Sequence, residues 1–171
     1  GAKPGDFIYV TGELGAAAYT LRYLKGSGEN PMPTKRELQR FNKPEPRVKV
    51  GLELRDIATS CIDISDGLFS DLKHILRASK VGAEVKLTHI PYSKSLKLLD
   101  KELAIELALT GGDDYELCFT APPVISQSDL EKITETQISQ IGKIKELNSQ
   151  LHLIDDDGKS YKLKSECYKH F

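Results

Sequence analysis

The segment Cys61-Ile62-Asp63-Ile64-Ser65-Asp66-Gly67-Leu68 decides the fold around it. It opens with small apolar residues, which predict a short buried strand. After its glycine, apolar side chains recur at helical spacing, so an amphipathic helix is predicted over 68–79. Ser65 or Asp66 is placed to cap that helix. Two carboxylates beside the N–H groups of a helix start are suited to a magnesium ion that bridges protein and phosphate.

A second acidic turn follows later, in Thr110-Gly111-Gly112-Asp113-Asp114-Tyr115-Glu116-Leu117. Paired glycines before paired aspartates cost folding free energy unless the backbone must approach something closely. A helix cap alone would explain the first turn, but two such turns in one small domain favour a metal–phosphate site. Strand alternation places Glu116 opposite Tyr115, so Asp114 and Glu116 are interpreted as groups that satisfy turn and edge hydrogen bonds.

Composition limits the class of protein. The 171 residues suit one domain or one large lobe, and a net charge of −1 argues against a nucleic-acid binder. No apolar run approaches the ~20 residues of a membrane span, so no membrane partner is expected. Cys61, Cys118 and Cys167 lack zinc spacing; the first two are predicted to be buried thiols, and the odd number fits a reducing cytoplasm. The turn at Gly1 feeds directly into a strand without an initiator methionine, which predicts that residues upstream are absent from this chain.

Strands and helices alternate along the chain, and several strands have one polar face. This pattern predicts an α+β fold in which helices are layered on a mixed, mostly antiparallel sheet. A capping box, Thr34 to Glu37, opens one helix. The acidic turn 155–158 is interpreted as hairpin chemistry, because it lacks the length and the later glutamate of a calcium loop. Strands are predicted at 7–12, 58–62, 82–88, 115–120, 138–144, 151–154 and 161–163, and helices at 13–25, 34–41, 48–57, 68–79, within 96–107 and from 128.

Several ordered blocks give the whole chain, residues 1–171, a family resemblance. It resembles the C-terminal domain of thiamine-monophosphate kinase, in the superfamily that also holds aminoimidazole ribonucleotide synthetase and selenophosphate synthetase. The Tyr-Glu-Leu block and the aromatic end favour the thiamine kinase branch. The blocks that carry the resemblance are Gly1 to Gly12, Pro46-Arg47 with Gly51 and Leu54, Asp63 to Leu68 with Asp71-Leu72, Gly111 to Leu117, and Tyr168-Lys169-His170-Phe171.

The resemblance implies a magnesium-dependent transfer of the ATP γ-phosphate to thiamine monophosphate. Position by position, Asp63 and Asp66 match magnesium ligands, and Ser65 matches a residue that contacts ATP. Asp113 and Tyr168 match substrate-binding positions; a glutamate is also familiar at the former. No residue is implied as a covalent nucleophile or other catalytic group. The family also implies an N-terminal lobe, absent here, with more magnesium ligands and the surface of a homodimer, so this chain alone is expected to be inactive.

Two other functions stay open at this point. One is another ATP-dependent enzyme of the superfamily, such as a ribonucleotide cyclase, which would bind a sugar phosphate. The other is a non-catalytic module that binds a nucleotide or another ligand without turnover. For Tyr168, a purely hydrophobic role at the chain end is the alternative to substrate stacking.

Overall fold

The computed structural model describes residues 1–26, 31–146 and 150–164. Its strands are β1 Phe7–Thr11, β2 Ser60–Asp63, β3 Gly82–Lys86, β4 Leu117–Ala121, β5 Ile138–Lys145, β6 Leu151–Ile154 and β7 Ser160–Tyr161. They form one sheet in the order β2-β4-β1-β5-β3-β6-β7. The pair β3–β6 is parallel, and the other strand pairs are antiparallel. This confirms the predicted α+β fold with a mixed, mostly antiparallel sheet.

Six α-helices are formed by the described residues, together with two short 3₁₀ turns at Leu87–His89 and Leu96–Leu98. The helix predicted at 68–79 has those bounds, whereas the one predicted to start at residue 128 begins earlier because Ser126 is its cap. The capping box is confirmed: the N–H of Glu37 donates to Thr34 Oγ1, and the N–H of Thr34 donates to the Glu37 carboxylate. The helices are α1 Ala16–Leu24, α2 Lys35–Asn42, α3 Val48–Glu53, α4 Leu68–Ser79, α5 Lys101–Thr110 and α6 Gln127–Thr134.

Helices cover both faces of the sheet, and the two-residue period of β1 shows how. Ile8 and Val10 point into a core shared with α1, α4 and α5. Between them, Tyr9 points into a second core with α3 and α6, where its ring stacks on Phe119 at 5.3 Å between centroids. The sheet is therefore the middle of three layers.

The strand before the first acidic turn is not buried as predicted. β2 lies at the end of the strand order, and its residues alternate between half-buried and exposed. Cys61 is consequently exposed, whereas Cys118 on β4 is buried as predicted. An apolar run predicts a strand, but it does not reveal whether the strand lies at an edge.

The predicted terminal hairpin is confirmed, with β6 and β7 paired antiparallel. The carboxylate of Asp155 accepts hydrogen bonds from the N–H groups of Asp157 and Lys159, at 3.0 and 2.8 Å. These are the turn contacts expected of an aspartate that begins a tight loop. Within the described ranges, no helix is long and apolar enough to cross a membrane.

Candidate functional site

The two acidic turns lie directly against each other. The N–H of Asp113 donates to the carbonyl of Ser65 at 3.0 Å, and the N–H of Tyr115 donates to the carbonyl of Ile64 at 3.0 Å. A Cβ atom added to Gly112 would stand 2.4 Å from that Ser65 oxygen. The prediction that these glycines permit a close approach is confirmed: Gly112 approaches the first acidic turn, and Gly111 approaches Ala18 and the carbonyl of Leu107.

The first turn is held by Asp71 rather than by a cap from its own side chains. The helix α4 has Gly67 at its N-cap, without a side-chain cap, so the predicted capping by Ser65 or Asp66 is wrong. Instead, one oxygen of Asp71 accepts the N–H groups of Ser65 and Asp66, at 3.0 and 3.1 Å. Burial raises the pKa of Asp71 and outweighs these two bonds, and the charges of Asp66 and Asp63 add to the rise. The carboxylate reaches back from the first turn of the helix, a contact that a capping pattern does not indicate.

The proposed magnesium ligands lie at the end of β2 and the start of the turn. Asp63 is exposed and Asp66 is half-buried. Burial is the main cause of the raised pKa of Asp71, and the hydrogen bond to Asp113 is the main cause of the raised pKa of Tyr115; the charge of Asp63 adds a smaller rise to both. Among the described residues, no group of three or more histidine, cysteine or acidic side chains could hold a metal ion. Two carboxylate residues nevertheless suit magnesium, which is usually held by one or two carboxylates with phosphate oxygens and waters.

The second turn presents Asp113 outward in a strained backbone. Asp113 and Tyr115 have φ angles of 66° and 50°, in the left-handed region that few residues with a side chain adopt. The side chain of Asp113 is exposed, and the hydroxyl of Tyr115 donates to its carboxylate at 3.1 Å. Such conformations persist where surrounding contacts enforce them, and they cluster at functional sites.

A cavity of about 560 Å³ opens beside both turns. One wall is the apolar side of α1 and α5, with Leu21 and Leu107. Arg22 and Lys25 add positive charge from the C-terminal half of α1. The remaining wall is built from the two turns themselves, through Ser65, Asp66, Gly111, Gly112 and Asp113. The cavity thus offers acidic, basic and apolar surface to one ligand.

Glu116, predicted to serve turn and edge hydrogen bonds, is instead the centre of a buried ionic cluster. It is fully buried and accepts hydrogen bonds from Thr11, Arg40 and Arg47. Burial alone would raise its pKa, but hydrogen bonds from Arg47 and Thr11 and the charges of both arginines hold the pKa below its usual value. In the sequence, the signal for this cluster was a carboxylate at an inward position of a strand pattern. Its arginine partners, Arg47 and Arg40, are 69 and 76 residues away in the chain.

Asp114 also turns inward, toward the start of α1. Its two carboxylate oxygens accept the N–H groups of Gly15 and Ala17, at 2.6 and 3.3 Å. Burial raises its pKa to about 7, against the opposing effects of these two bonds and of the Arg40 charge. The remaining predicted site residue, Tyr168, lies outside the described residues, as does Cys167.

Known proteins resemble this chain in both sequence and structure. A thiamine-monophosphate kinase of Escherichia coli (strain K12) is 46% identical over 125 residues, which cover 71% of this chain and 38% of that protein. The crystal structure of thiamine-monophosphate kinase from Stenotrophomonas maltophilia K279a matches with a TM-score of 0.80 at 37% identity, over 94% of this chain and 52% of that one. A structure of AaThiL complexed with AMPPCP and TMP gives a TM-score of 0.78 at 30% identity, over 100% of this chain and 53% of that chain.

The chain therefore spans about half, or less, of the length of these relatives. Their names agree with the resemblance inferred from the ordered sequence blocks, which is confirmed. Residues 3–152 match the family described as AIR synthase related protein, C-terminal domain. That match includes both acidic turns, strands β1 to β5 and the first two residues of β6. The chain belongs to the family of AIR synthase related proteins, as a C-terminal domain.

Proposed function

We propose that this chain is the C-terminal lobe of an enzyme that transfers the γ-phosphoryl group of ATP to thiamine monophosphate. The observation that carries the proposal is the junction of the two acidic turns beside one cavity, through the 3.0 Å bond from Asp113 to Ser65. The thiamine-monophosphate kinases at 37–46% identity support the choice of reaction.

Asp63 and Asp66 are proposed to hold magnesium, and Ser65 to contact ATP. Magnesium would neutralise phosphate charge, which phosphoryl transfer needs more than it needs a covalent nucleophile. Asp71 contributes by holding the backbone N–H groups of Ser65 and Asp66, which fixes the turn that carries both side chains. The acceptor is a phosphate oxygen that is already ionised, so no strong general base is required.

Asp113 and Tyr168 are proposed to bind thiamine monophosphate. A carboxylate suits the cationic ring of that substrate, and an aromatic side chain can stack on it. Asp113 lines the cavity, where Leu21 and Leu107 give apolar contact and Arg22 and Lys25 give positive charge for a phosphate. A molecule with a cationic ring, an apolar body and a phosphate matches that distribution.

The other parts of the proposal concern the complete enzyme. An N-terminal lobe would supply further magnesium ligands and the surface of a homodimer, as the family resemblance implies. The half-length match to the relatives supports such a lobe but does not bear on those two roles. The exposed thiol of Cys61 fits a reducing, cytoplasmic compartment. The isolated 171-residue chain is then folded but inactive.

Turnover by the full-length polypeptide that carries this chain tests the proposal. With ATP, magnesium and thiamine monophosphate, we expect thiamine diphosphate, and we expect Asp63→Asn and Asp66→Asn each to abolish its formation. Asp157→Asn, in the exposed hairpin turn, is the matched control and should leave the rate unchanged. Production of thiamine diphosphate by the isolated chain would contradict the half-site proposal.

Two other outcomes would redirect the proposal. Thermal stabilisation by a ribose phosphate instead of thiamine monophosphate would favour another ATP-dependent enzyme of the superfamily. Tight binding of nucleotide without turnover of any acceptor would favour a non-catalytic binding module.

A further inference from the structure

We propose that Asp114 and Glu116 are positioning residues, which anchor the strained turn at residues 113–115 so that Asp113 faces the cavity. Side chains alternate along this segment. Asp113 is exposed, whereas Asp114 and Glu116 are buried at 5% and 0% exposure. The two buried carboxylates contact different parts of the fold, so together they fix the turn from two sides.

Glu116 fixes the end of the turn to β1 and to the segment between α2 and α3. The guanidinium of Arg47 donates two hydrogen bonds, at 2.7 and 2.8 Å, one to each carboxylate oxygen. Such two-bond pairs define orientation as well as distance. The hydroxyl of Thr11 donates to Glu116 at 2.6 Å and accepts the N–H of Leu117 at 2.9 Å, which joins the end of β1 to the start of β4.

Asp114 fixes the other side of the turn to the helix that walls the cavity. The N-cap of α1 is Gly15, at φ 82°, which has no side chain for capping. Asp114 supplies the missing acceptor from 99 residues away, through its bonds to Gly15 and Ala17. A side-chain acceptor for the free N–H groups at a helix N-terminus is stabilising. Because α1 provides Ala17 and Leu21 to the cavity, the same contact sets the distance between the helix and the turn.

Arg40 connects the two anchors. One of its terminal nitrogens donates to the Glu116 carboxylate at 2.5 Å and to the backbone carbonyl of Asp114 at 3.2 Å. Its side chain is only 19% exposed, and that of Arg47 is 20% exposed. A buried carboxylate is costly unless charge and hydrogen bonds compensate it. Two arginines around Glu116 meet that requirement, and Arg40 holds the backbone of Asp114 at the same time.

The strain in the turn explains why anchors are needed. Asp113 and Tyr115, on either side of Asp114, both have positive φ angles, and each such residue stores strain. Relaxing either angle would turn the next side chain away from its partner. The N–H groups of Asp113 and Tyr115, bonded to Ser65 and Ile64, carry the same geometry into the first acidic turn.

Hydrogen exchange tests this proposal without any assumption about the reaction. In Asp114→Asn and Asp114→Ala, we expect the amides of Asp113 and Tyr115 to exchange at least about 10-fold faster than in the wild type, because their local opening becomes easier. The amide of Ile144, bonded to the carbonyl of Asp6 in the distant part of the sheet, should change much less. Ile138→Val, which removes one buried methylene, is the control for general destabilisation.

Equal acceleration at Asp113, Tyr115 and Ile144 would overturn the proposal, since it would show only a loss of global stability. No acceleration at Asp113 and Tyr115 would overturn it as well. If Asp114→Ala does not fold, Asp114→Asn decides, because an amide keeps one acceptor oxygen and the volume of the side chain.

Kinetics of the full-length polypeptide extend the test, and this part rests on the proposed function. Displacing Asp113 should weaken substrate binding, so Asp114→Asn is expected to raise KM for thiamine monophosphate by about 10-fold and to change kcat by less than about 3-fold. A residue with a purely structural role would lower the amount of active enzyme and leave KM unchanged, which would contradict positioning. A wild type without turnover would contradict the proposed function instead, and hydrogen exchange would still decide the role of Asp114.

Discussion

Replacing Glu116 with glutamine should destabilise the protein more than any other single change in the ionic cluster. The substitution keeps the shape of the side chain but removes the charge that Arg40 and Arg47 surround. It also turns one accepting oxygen into an N–H₂ group that cannot accept. The two guanidinium groups then lose the carboxylate that both of them contact.

The expected magnitude follows from the burial of the partners. Removing one partner of a buried ion pair costs about 3–5 kcal/mol. Glu116 is fully buried, but the side chains of Arg40 and Arg47 are 19% and 20% exposed, so water relieves part of their repulsion. We therefore expect the lower end, about 3 kcal/mol in the free energy of unfolding. For a chain of this length, that loss corresponds to a decrease in Tm of roughly 6–12 °C.

Urea unfolding of the wild type and Glu116→Gln measures this difference, provided that both transitions have the same slope with denaturant. Glu135→Gln is the matched control, because Glu135 pairs with Lys49 at 2.7 Å on the surface, where both side chains are mostly exposed. We expect no measurable change in the control. A loss below about 1 kcal/mol in Glu116→Gln would refute the reasoning, since it would place the cluster in the range of surface pairs.

Two further predictions concern neighbouring parts of the site. Burial raises the pKa of Asp114 from 3.8 to about 7, so the folded state favours the neutral carboxyl. The stability that this preference contributes is fully present below pH 3.8 and is lost as the pH rises through 7. The free energy of unfolding of the wild type should therefore fall relative to Asp114→Asn by about 4 kcal/mol between pH 4 and 8, at 1.36 kcal/mol per pH unit, and a constant difference in urea titrations would contradict this. Gly112→Ala should separate the two turns, because its Cβ would stand 2.4 Å from the carbonyl oxygen of Ser65. Faster exchange of the Asp113 amide would show the separation, and unchanged exchange would contradict it.

Local patterns predicted a large part of the fold. The helix at 68–79 has its predicted bounds because apolar side chains recur with the helical period and Gly67 marks its start. The mixed sheet followed from the alternation of polar and apolar residues in the strands. The edge position of β2, and with it the exposure of Cys61, depends on the order of strands in space, which no local pattern contains.

The candidate site was predictable where its residues are close in sequence. The two acidic turns and their glycines were identified from composition and spacing, and the structure joins them. The partners of Glu116 and Asp114 were not predictable, because each contact closes a loop of 69 or more residues. Asp71 was missed for another reason: its side chain reaches back past the N-cap instead of following the capping pattern.

Manganese provides the most direct test of the central claim that both acidic turns belong to one metal–nucleotide site. Added with ATP to the full-length polypeptide, paramagnetic Mn²⁺ in place of magnesium should broaden the amide NMR signals of Ser65 and Asp66 and also those of Gly112 and Asp113. The signal of Asp157 in the terminal hairpin should stay sharp. Broadening at neither turn, or equal broadening at the hairpin, would contradict the claim.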